Sequence, residues 1–338
     1  MPTILALESS CDDTSAAVVR DGLVLSNVTA GQSVHIEYGG VVPEFASRAH
    51  QRNIVPTVQV ALDRAGVTTA DIDAVAFTRG PGLIGSLMVG VSFAKAFALT
   101  RDLPLLAVDH MQAHVLANFA RTPADDDTTA PRPDFPFLCL TVSGGHTQLI
   151  VVHDALDHEI IGRTRDDAAG EAFDKSGKLL GLPYPAGPAI DRLARSGRPT
   201  LDFARPDPGE LDFSFSGLKT SVLYTLQRAV REEPDFVQRN LHDICASVQD
   251  AIVSILLDKL TAAAARTGLT DVALAGGVSA NSELRRRLAA AGAERGWRTF
   301  VPRLEYCTDN AAMIGVAGHF LLERGRTVGQ DTAPAARP

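Results

Sequence analysis

LALESSCDDTSAAVV (residues 5–19) and LTVSGGHTQLIVV (residues 140–152) are the stretches that decide the fold. Each is an apolar run, a turn of small residues, then a second apolar run. Short runs of this kind bounded by turn residues read as buried strands. The first hairpin sits in a longer pattern. Strands are predicted at Thr3–Glu8, Ser15–Arg20 and Leu23–Thr29, with Asp21-Gly22 as a hairpin turn. A helix follows over Pro43–Ala65, where Pro43 suits the first turn and Pro56 is expected to kink it. Then come a strand at Ile72–Thr78, a helix at Leu83–Leu99, a strand at Leu105–Asp109 and a helix at His110–Ala120.

The order recurs. Strands are predicted at Phe137–Val142, Gln148–Val152 and His158–Arg163. An amphipathic helix over Asp235–Arg266 carries Ile244, Val248, Ile252, Ile255 and Leu256 at helical spacing. A strand at Asp271–Leu274, a helix at Ser279–Glu294, a strand at Arg298–Val301 and a helix at Asp309–Glu323 complete it. Three strands followed by alternating helices and strands, used twice, predict an α/β chain resembling the actin-like ATPase fold. That resemblance implies two ribonuclease-H-like halves around a nucleotide cleft. The expected halves are residues 1–120 and 135–325, with a helical insertion at about 165–230 in the second. Residues 121–134, with three prolines and Asp125-Asp126-Asp127, read as a linker, and 326–338 as a tail.

Composition removes several classes. With 45% hydrophobic and 21% charged residues, the chain is too apolar and too weakly charged for disorder. No apolar run reaches membrane-spanning length, since Lys95 and Asp258 interrupt the best candidates, so no membrane partner is expected. Glu8, Asp12 and Asp13 stand where a signal peptide would be basic and then apolar. Cys11, Cys139, Cys245 and Cys307 are widely spaced, which suits free thiols and a cytoplasmic location. The net charge of −8 is awkward for a nucleic-acid enzyme, because RNA affinity rests largely on phosphate neutralisation. A local basic patch or a partner protein would have to supply it. Arg285-Arg286-Arg287 is one candidate patch, although a solvated helix face is the plainer reading.

The chemistry-bearing motifs fall in the turns. ESSCDDT (8–14) and SGGHT (143–147) occupy matching places in the two halves, and small residues there let backbone N–H groups approach phosphate oxygens. LAGGVSANSELRRRL (274–288) runs strand, Gly276-Gly277, then helix. Asn281 in its first turn is either a helix cap or a contact to a nucleoside, and the second is favoured. RGPGLIGSLMVGVSFAKAF (79–97) carries Gly82, Gly85 and Gly90, read as packing glycines.

His110 and His114 are four residues apart at a helix start, which puts both imidazoles on one face and suits a shared metal. Asp309 is the expected third ligand, its alternative role being an N-cap, and Cys307 is a weaker candidate. With Asp309 expected from the opposite half, the ion would clasp the cleft. Two imidazoles and one carboxylate suit iron(II) or zinc without choosing between them. A zinc peptidase of the HExxH type needs Glu after the first His; His110-Met111-Gln112-Ala113-His114 lacks it.

ESSCDDTS, YGGVVPEFASRAH, GPGLIGSL, HMQAH, VSGGHTQL, GEAFDK, FSFSGLKT, GGVSAN and CTDNAAMIG occur together and in order. By this set the chain resembles the bacterial tRNA threonylcarbamoyladenosine transferase family, long mislabelled O-sialoglycoprotein endopeptidase, over residues 3–325. The resemblance implies that His110, His114 and Asp309 bind one divalent metal per subunit, with iron(II) favoured and zinc possible. It also implies that Thr141, Val142, Ser143, Gly144, Gly145, Asp174, Gly187, Asp191 and Asn281 line an adenylate site. Asp174 and Asp191 follow from the resemblance alone.

The implied reaction moves the threonylcarbamoyl group from threonylcarbamoyl-AMP to N6 of the adenosine 3′ of the anticodon, in tRNAs reading ANN codons. The implied partners are a degenerate paralogue and a small P-loop ATPase. The competing class is an actin-like ATPase scaffold without acyl transfer; a metallopeptidase is third. Two departures stand out. Gln112-Ala113 replaces the family's frequent Glu-Gly, and Ala186 stands in the family's YPGGP, which matters if that backbone needs positive φ.

Overall fold

The computed structural model describes residues 1–32, 38, 40–126 and 129–337. Its first elements are β1 (Thr3–Glu8), β2 (Thr14–Arg20), β3 (Leu23–Ala30), α1 (Pro43–Ala65), β4 (Ala74–Gly80), α2 (Ile84–Leu99), β5 (Leu105–Asp109) and α3 (His110–Leu116). Then come β6 (Phe137–Val142), β7 (Thr147–Asp154), β8 (Asp157–Arg163), α4 (Ala169–Leu179), α5 (Gly187–Ala194) and α6 (Ser216–Glu232). The last are α7 (Phe236–Arg239), α8 (Leu241–Thr267), β9 (Asp271–Ala275), α9 (Ser282–Arg295), β10 (Arg298–Phe300) and α10 (Ala311–Glu323).

These elements form two compact units. One comprises Met1–Arg132, Asp154–Asp157 and Pro302–Pro338; the other comprises Pro133–His153 and His158–Val301. Helix α10 and Asp309 therefore belong to the unit of the first hairpin, whereas the sequence reading put them in the second half.

In the first unit the sheet order is β3-β2-β1-β4-β5. β1 pairs antiparallel with β2 and parallel with β4, and β4 pairs parallel with β5. Both faces are covered, which is why β1 reads as a continuous apolar run. Ile4 and Ala6 face a cluster that includes Ala311, Ile314 and Ala317 of α10. Leu5 and Leu7 face Ile54, Val58 and Leu62 of α1 and Val91 and Ala94 of α2. Helix α10 lies close on the sheet because its face carries glycine. A Cβ on Gly315 would stand 2.4 Å from Val19, and one on Gly318 would stand 2.7 Å from Ala76.

The second unit repeats the order as β10-β9-β6-β7-β8. Leu138, Leu140 and Val142 of β6 share a core with Ile244, Val248, Ile252 and Leu256 of α8. The expected insertion is helical, carrying α4, α5 and α6.

Three predicted helices start or break differently. Asn240 separates α7 from α8, with its side-chain amide donating to the Phe236 carbonyl at 2.9 Å. Gly277–Ala280 forms a 3-10 turn, so α9 begins at Ser282 behind Asn281 as N-cap. Helix α10 begins at Ala311 behind Asn310, whose side chain accepts from the Met313 N–H. The four cysteines form no disulfide among the described residues, and no helix among them is long and apolar enough to cross a membrane.

Candidate active site

The end of β1, the start of α3 and the residue before the α10 cap meet inside the first unit. His110 Nε2 lies 3.5 Å and His114 Nε2 3.2 Å from the same Asp309 oxygen, Oδ1. The imidazole planes cross at 83° with centroids 4.6 Å apart. One ligand atom from each of the three residues lies within 4.8 Å of the others. Asp309 is not the helix cap, a role Asn310 takes. Its carboxylate is thus left to the histidines. The trio does not bridge two halves of the molecule; every member belongs to one unit. Cys307 is not part of it, since its thiol donates to the Pro302 and Arg303 carbonyls.

Sequence reasoning missed Glu8. This carboxylate is 1% exposed, and its Oε2 lies 3.0 Å from His110 Nδ1. Thr78 donates to the same oxygen at 2.6 Å, and the Ser10 N–H to the other. With Nδ1–H directed at Glu8, Nε2 of His110 is the nitrogen turned toward Asp309, the tautomer a metal ligand requires. A charged residue directly after the apolar run Ile4–Leu7 was the available signal.

The electrostatics are those of a cation site. Burial alone would depress His110, but the Glu8 and Asp309 carboxylates outweigh it and hold the imidazole well above its ordinary value. Burial would raise both carboxyls, yet His110 holds Glu8 below the usual range, and His110 with His114 holds Asp309 far below it. Burial, then the charges of Asp12, Asp309 and Glu8, pushes Asp13 up to about 7. Burial and Asp12 drive the Cys11 thiol upward. Negative charge packed around two imidazoles is relieved by a cation, and the donor set of two ring nitrogens and one carboxylate fits a divalent transition metal.

The turn at 8–14 is held rigidly, and its hydroxyls are engaged within the protein rather than offered to phosphate. Ser9 donates to the Ser86 carbonyl at 3.0 Å, and Ser10 Oγ lies 3.3 Å from His110 Nδ1. His50 of α1, also missed, bonds Thr14 Oγ1 at 2.8 Å through Nδ1 and the Cys11 carbonyl at 3.0 Å through Nε2. Gly82 and Gly90 leave room for this turn: a Cβ on either would fall within 2.6 Å of Ser10 or Ser9. That is the packing role expected of them.

The second unit gathers the other predicted residues around three helix N-termini. Thr141 and Val142 end β6 and are buried; Ser143 closes a tight turn by bonding the His146 carbonyl at 2.8 Å. Gly144 and Gly145 are exposed at its tip, and among the described residues their N–H groups meet no protein acceptor. The Gly170 N–H at the start of α4 donates to the Ser143 carbonyl at 3.2 Å. Gly276, at φ +83°, passes so close that a Cβ would stand 2.5 Å from the Val142 oxygen.

Asp174 and Asp191 tie these helices together. Asp174 accepts the Ala186 N–H at 2.7 Å, bracing the start of α5 where Gly187 stands. Asp191 accepts both the N–H (3.1 Å) and hydroxyl (2.7 Å) of Ser282, bracing the start of α9. Asn281 caps α9 by accepting the Leu284 N–H at 2.9 Å while donating to Gln249 at 2.7 Å. Ala186 has φ −84°, so its methyl costs no strain. The methyl instead fills the gap over Gly177. Gln112 and Ala113 leave the trio intact: Gln112 donates its N–H to the Asp109 cap, and Ala113 is buried. The triple arginine is not a free patch. Arg285 donates to the Ser279 carbonyl, Arg286 pairs with Glu283 and Arg287 with Asp250.

Residues 23–316 match the family model of tRNA N6-adenosine threonylcarbamoyltransferase. The chain belongs to that family. A tRNA N6-adenosine threonylcarbamoyltransferase of Christiangramia forsetii is 57% identical over 317 residues, 94% of this chain and 92% of that one. One of Porphyromonas gingivalis is 54% identical over 335 residues, 99% and 97% of the two chains. Among solved structures, component A of the (R)-2-hydroxyglutaryl-CoA dehydratase of Acidaminococcus fermentans superposes with a TM-score of 0.55 at 14% identity. It covers 95% of this chain and 97% of that one. At that identity the likeness concerns the fold alone, which is the actin-like one expected from the repeated strand order.

Proposed function

We propose that this family member transfers the threonylcarbamoyl group from threonylcarbamoyl-AMP to N6 of the adenosine 3′ of the anticodon in tRNAs reading ANN codons. A C–N bond forms to N6, the carbamoyl C–O bond to phosphate breaks, AMP leaves and N6 loses a proton. The exocyclic amine is a poor nucleophile because its lone pair is delocalised into the ring, so the donor must carry a good leaving group. The observation that carries the reading is the convergence of His110, His114 and Asp309, within 4.8 Å in a chain of this family.

His110, His114 and Asp309 would hold one divalent metal, for which iron(II) is favoured and zinc is compatible. Such an ion supplies Lewis acidity toward a phosphate or carbamoyl oxygen. Glu8 orients His110, and Asp309 aligns both rings. In the second unit the exposed N–H groups of Gly144 and Gly145 suit a nucleotide's phosphate. Thr141, Val142, Ser143, Asp174, Gly187, Asp191 and Asn281 shape the adenylate site, the two aspartates by fixing α5 and α9 rather than by proton transfer. An anticodon loop presents its base unpaired, so unstacking costs less than in a duplex.

The chain works in the cytoplasm with a degenerate paralogue and a small P-loop ATPase, which agrees with its acidic balance. The test is mass spectrometry of tRNA nucleosides after reconstitution with those partners and threonylcarbamoyl-AMP, with and without chelator. Modified adenosine that disappears on chelation is expected. ATP turnover indifferent to chelation, with no modified nucleoside under any combination, would put the scaffold reading in its place.

A further inference from the structure

Many arginines of this acidic chain are tied to carboxylates. Arg165, Arg195, Arg205, Arg239, Arg287, Arg298, Arg303 and Arg324 all make ion pairs. Helix α6 carries two arginines that do not, on the same face as an exposed aromatic ring. Its inner face, Leu218, Val222 and Leu226, is buried in the second unit's core. At about 100° per residue, Thr220, Tyr224, Gln227, Arg228 and Arg231 fall in one stripe on the opposite face. All five are exposed, and Tyr224 is 65% so. Among the described residues the guanidinium of neither Arg228 nor Arg231 makes an ion pair or a hydrogen bond. Of the neighbouring acids, Glu233 is held by Arg239, and Glu232 lies at the stripe's edge.

A single exposed tyrosine is ordinary on a protein surface. An exposed aromatic ring one turn from a guanidinium without a carboxylate, with a second guanidinium one turn further, is a different chemistry. The ring offers a stacking platform that any base fits, and the guanidiniums offer forked donors to phosphate. The helix is rigid, its start fixed by Asp166, which accepts from Ser214, Phe215 and Ser216. The ring and charges are therefore presented at little ordering cost.

We propose that the outer face of α6 docks a single-stranded loop of the tRNA substrate, with Tyr224 stacked on an unpaired base and Arg228 and Arg231 on flanking phosphates. This rests on the transferase reading above. It also supplies local positive charge that the net charge of −8 denies the chain as a whole.

The test measures binding of unmodified tRNA to the reconstituted assembly across a salt series, together with transfer kinetics. Arg228→Gln/Arg231→Gln should weaken binding about tenfold and flatten the plot of log affinity against log salt by about 2. Tyr224→Ala should weaken binding about tenfold, and Tyr224→Phe should restore it. In each weakened variant KM for tRNA rises, while kcat and KM for the adenylate stay unchanged. Circular dichroism and assembly size confirm the same fold and composition. Wild-type transfer with unchanged tRNA affinity and salt slope in the variants removes the docking face and leaves the transferase reading standing. Loss of a protein subunit from the variant assemblies overturns the proposal in favour of a protein contact. Failure of the wild-type assembly to bind tRNA overturns both.

Discussion

Glu8 and His110 meet at 3.0 Å between Oε2 and Nδ1, with Glu8 1% and His110 8% exposed. The pair joins residues 102 apart in sequence and decides which imidazole nitrogen faces Asp309. Outer partners of this kind tune metal affinity without touching the ion.

Replacing Glu8 by Gln keeps the side-chain volume and an acceptor for Nδ1–H, but removes the charge. Metal affinity is expected to fall about 10–100-fold while thermal unfolding stays cooperative. Competition against a chelator of known affinity reads this directly. An unchanged affinity would mean that Glu8 serves only to close the β1 turn.

His114→Ala removes a nitrogen 3.2 Å from Asp309 Oδ1. Stoichiometric metal and nucleoside modification are expected to disappear together. Metal analysis on the same preparation used for transfer decides the matter; full transfer by a metal-free variant rejects the proposed site.

Asp166 holds four donors from Ser214, Phe215 and Ser216 at the start of α6. Burial alone would raise its carboxyl, but these hydrogen bonds hold it below the usual range. A depressed carboxyl contributes stability that is full above its unfolded value and is lost as pH falls through its folded value. Asp166→Ala strips these donors of their acceptor and, at a site exposed to solvent screening, should cost about 0.5–1 kcal/mol near neutrality. The gap to wild type should narrow in acid. Denaturant unfolding at pH 7 and at pH 3 checks both halves of the statement, and a gap independent of pH contradicts it.

Asp174 illustrates the opposite shift. Burial raises its carboxyl, only partly offset by the Ala186 and Gly187 N–H groups. Asp174→Asn keeps an acceptor and sheds a desolvated charge, so stability should be nearly unchanged. Asp174→Ala strands buried donors and should cost about 1–3 kcal/mol. Equal losses in both variants, measured by thermal and denaturant unfolding, would show that the charge itself matters.

Gly276→Ala forces a side chain into φ +83° and a Cβ to 2.5 Å from the Val142 oxygen. A loss of about 2–4 kcal/mol is expected, with KM for the adenylate rising in whatever fraction stays folded. A variant with wild-type melting temperature would show that the loop relaxes elsewhere.

Much of this was legible in order along the chain. The hairpins at 5–19 and 140–152, the helix Pro43–Ala65 and the strands Leu105–Asp109 and Phe137–Val142 follow from local pattern and turn chemistry. His110 and His114 were legible because helical spacing places four-apart residues on one face. Glu8, His50 and the bracing roles of Asp174 and Asp191 were not, since each acts on a backbone or ring distant in sequence.

By itself, then, the sequence determined the repeated strand order, the buried strands and the two histidines, because hydrophobic period and turn residues act over a few positions. Only tertiary structure decided that α10 returns to the first sheet, carrying Asp309 to the histidines within one unit. That return depends on whether glycines 315 and 318 can lie against Val19 and Ala76, a fit of surfaces from opposite ends of the chain. Periodicity does not encode such complementarity; close packing does.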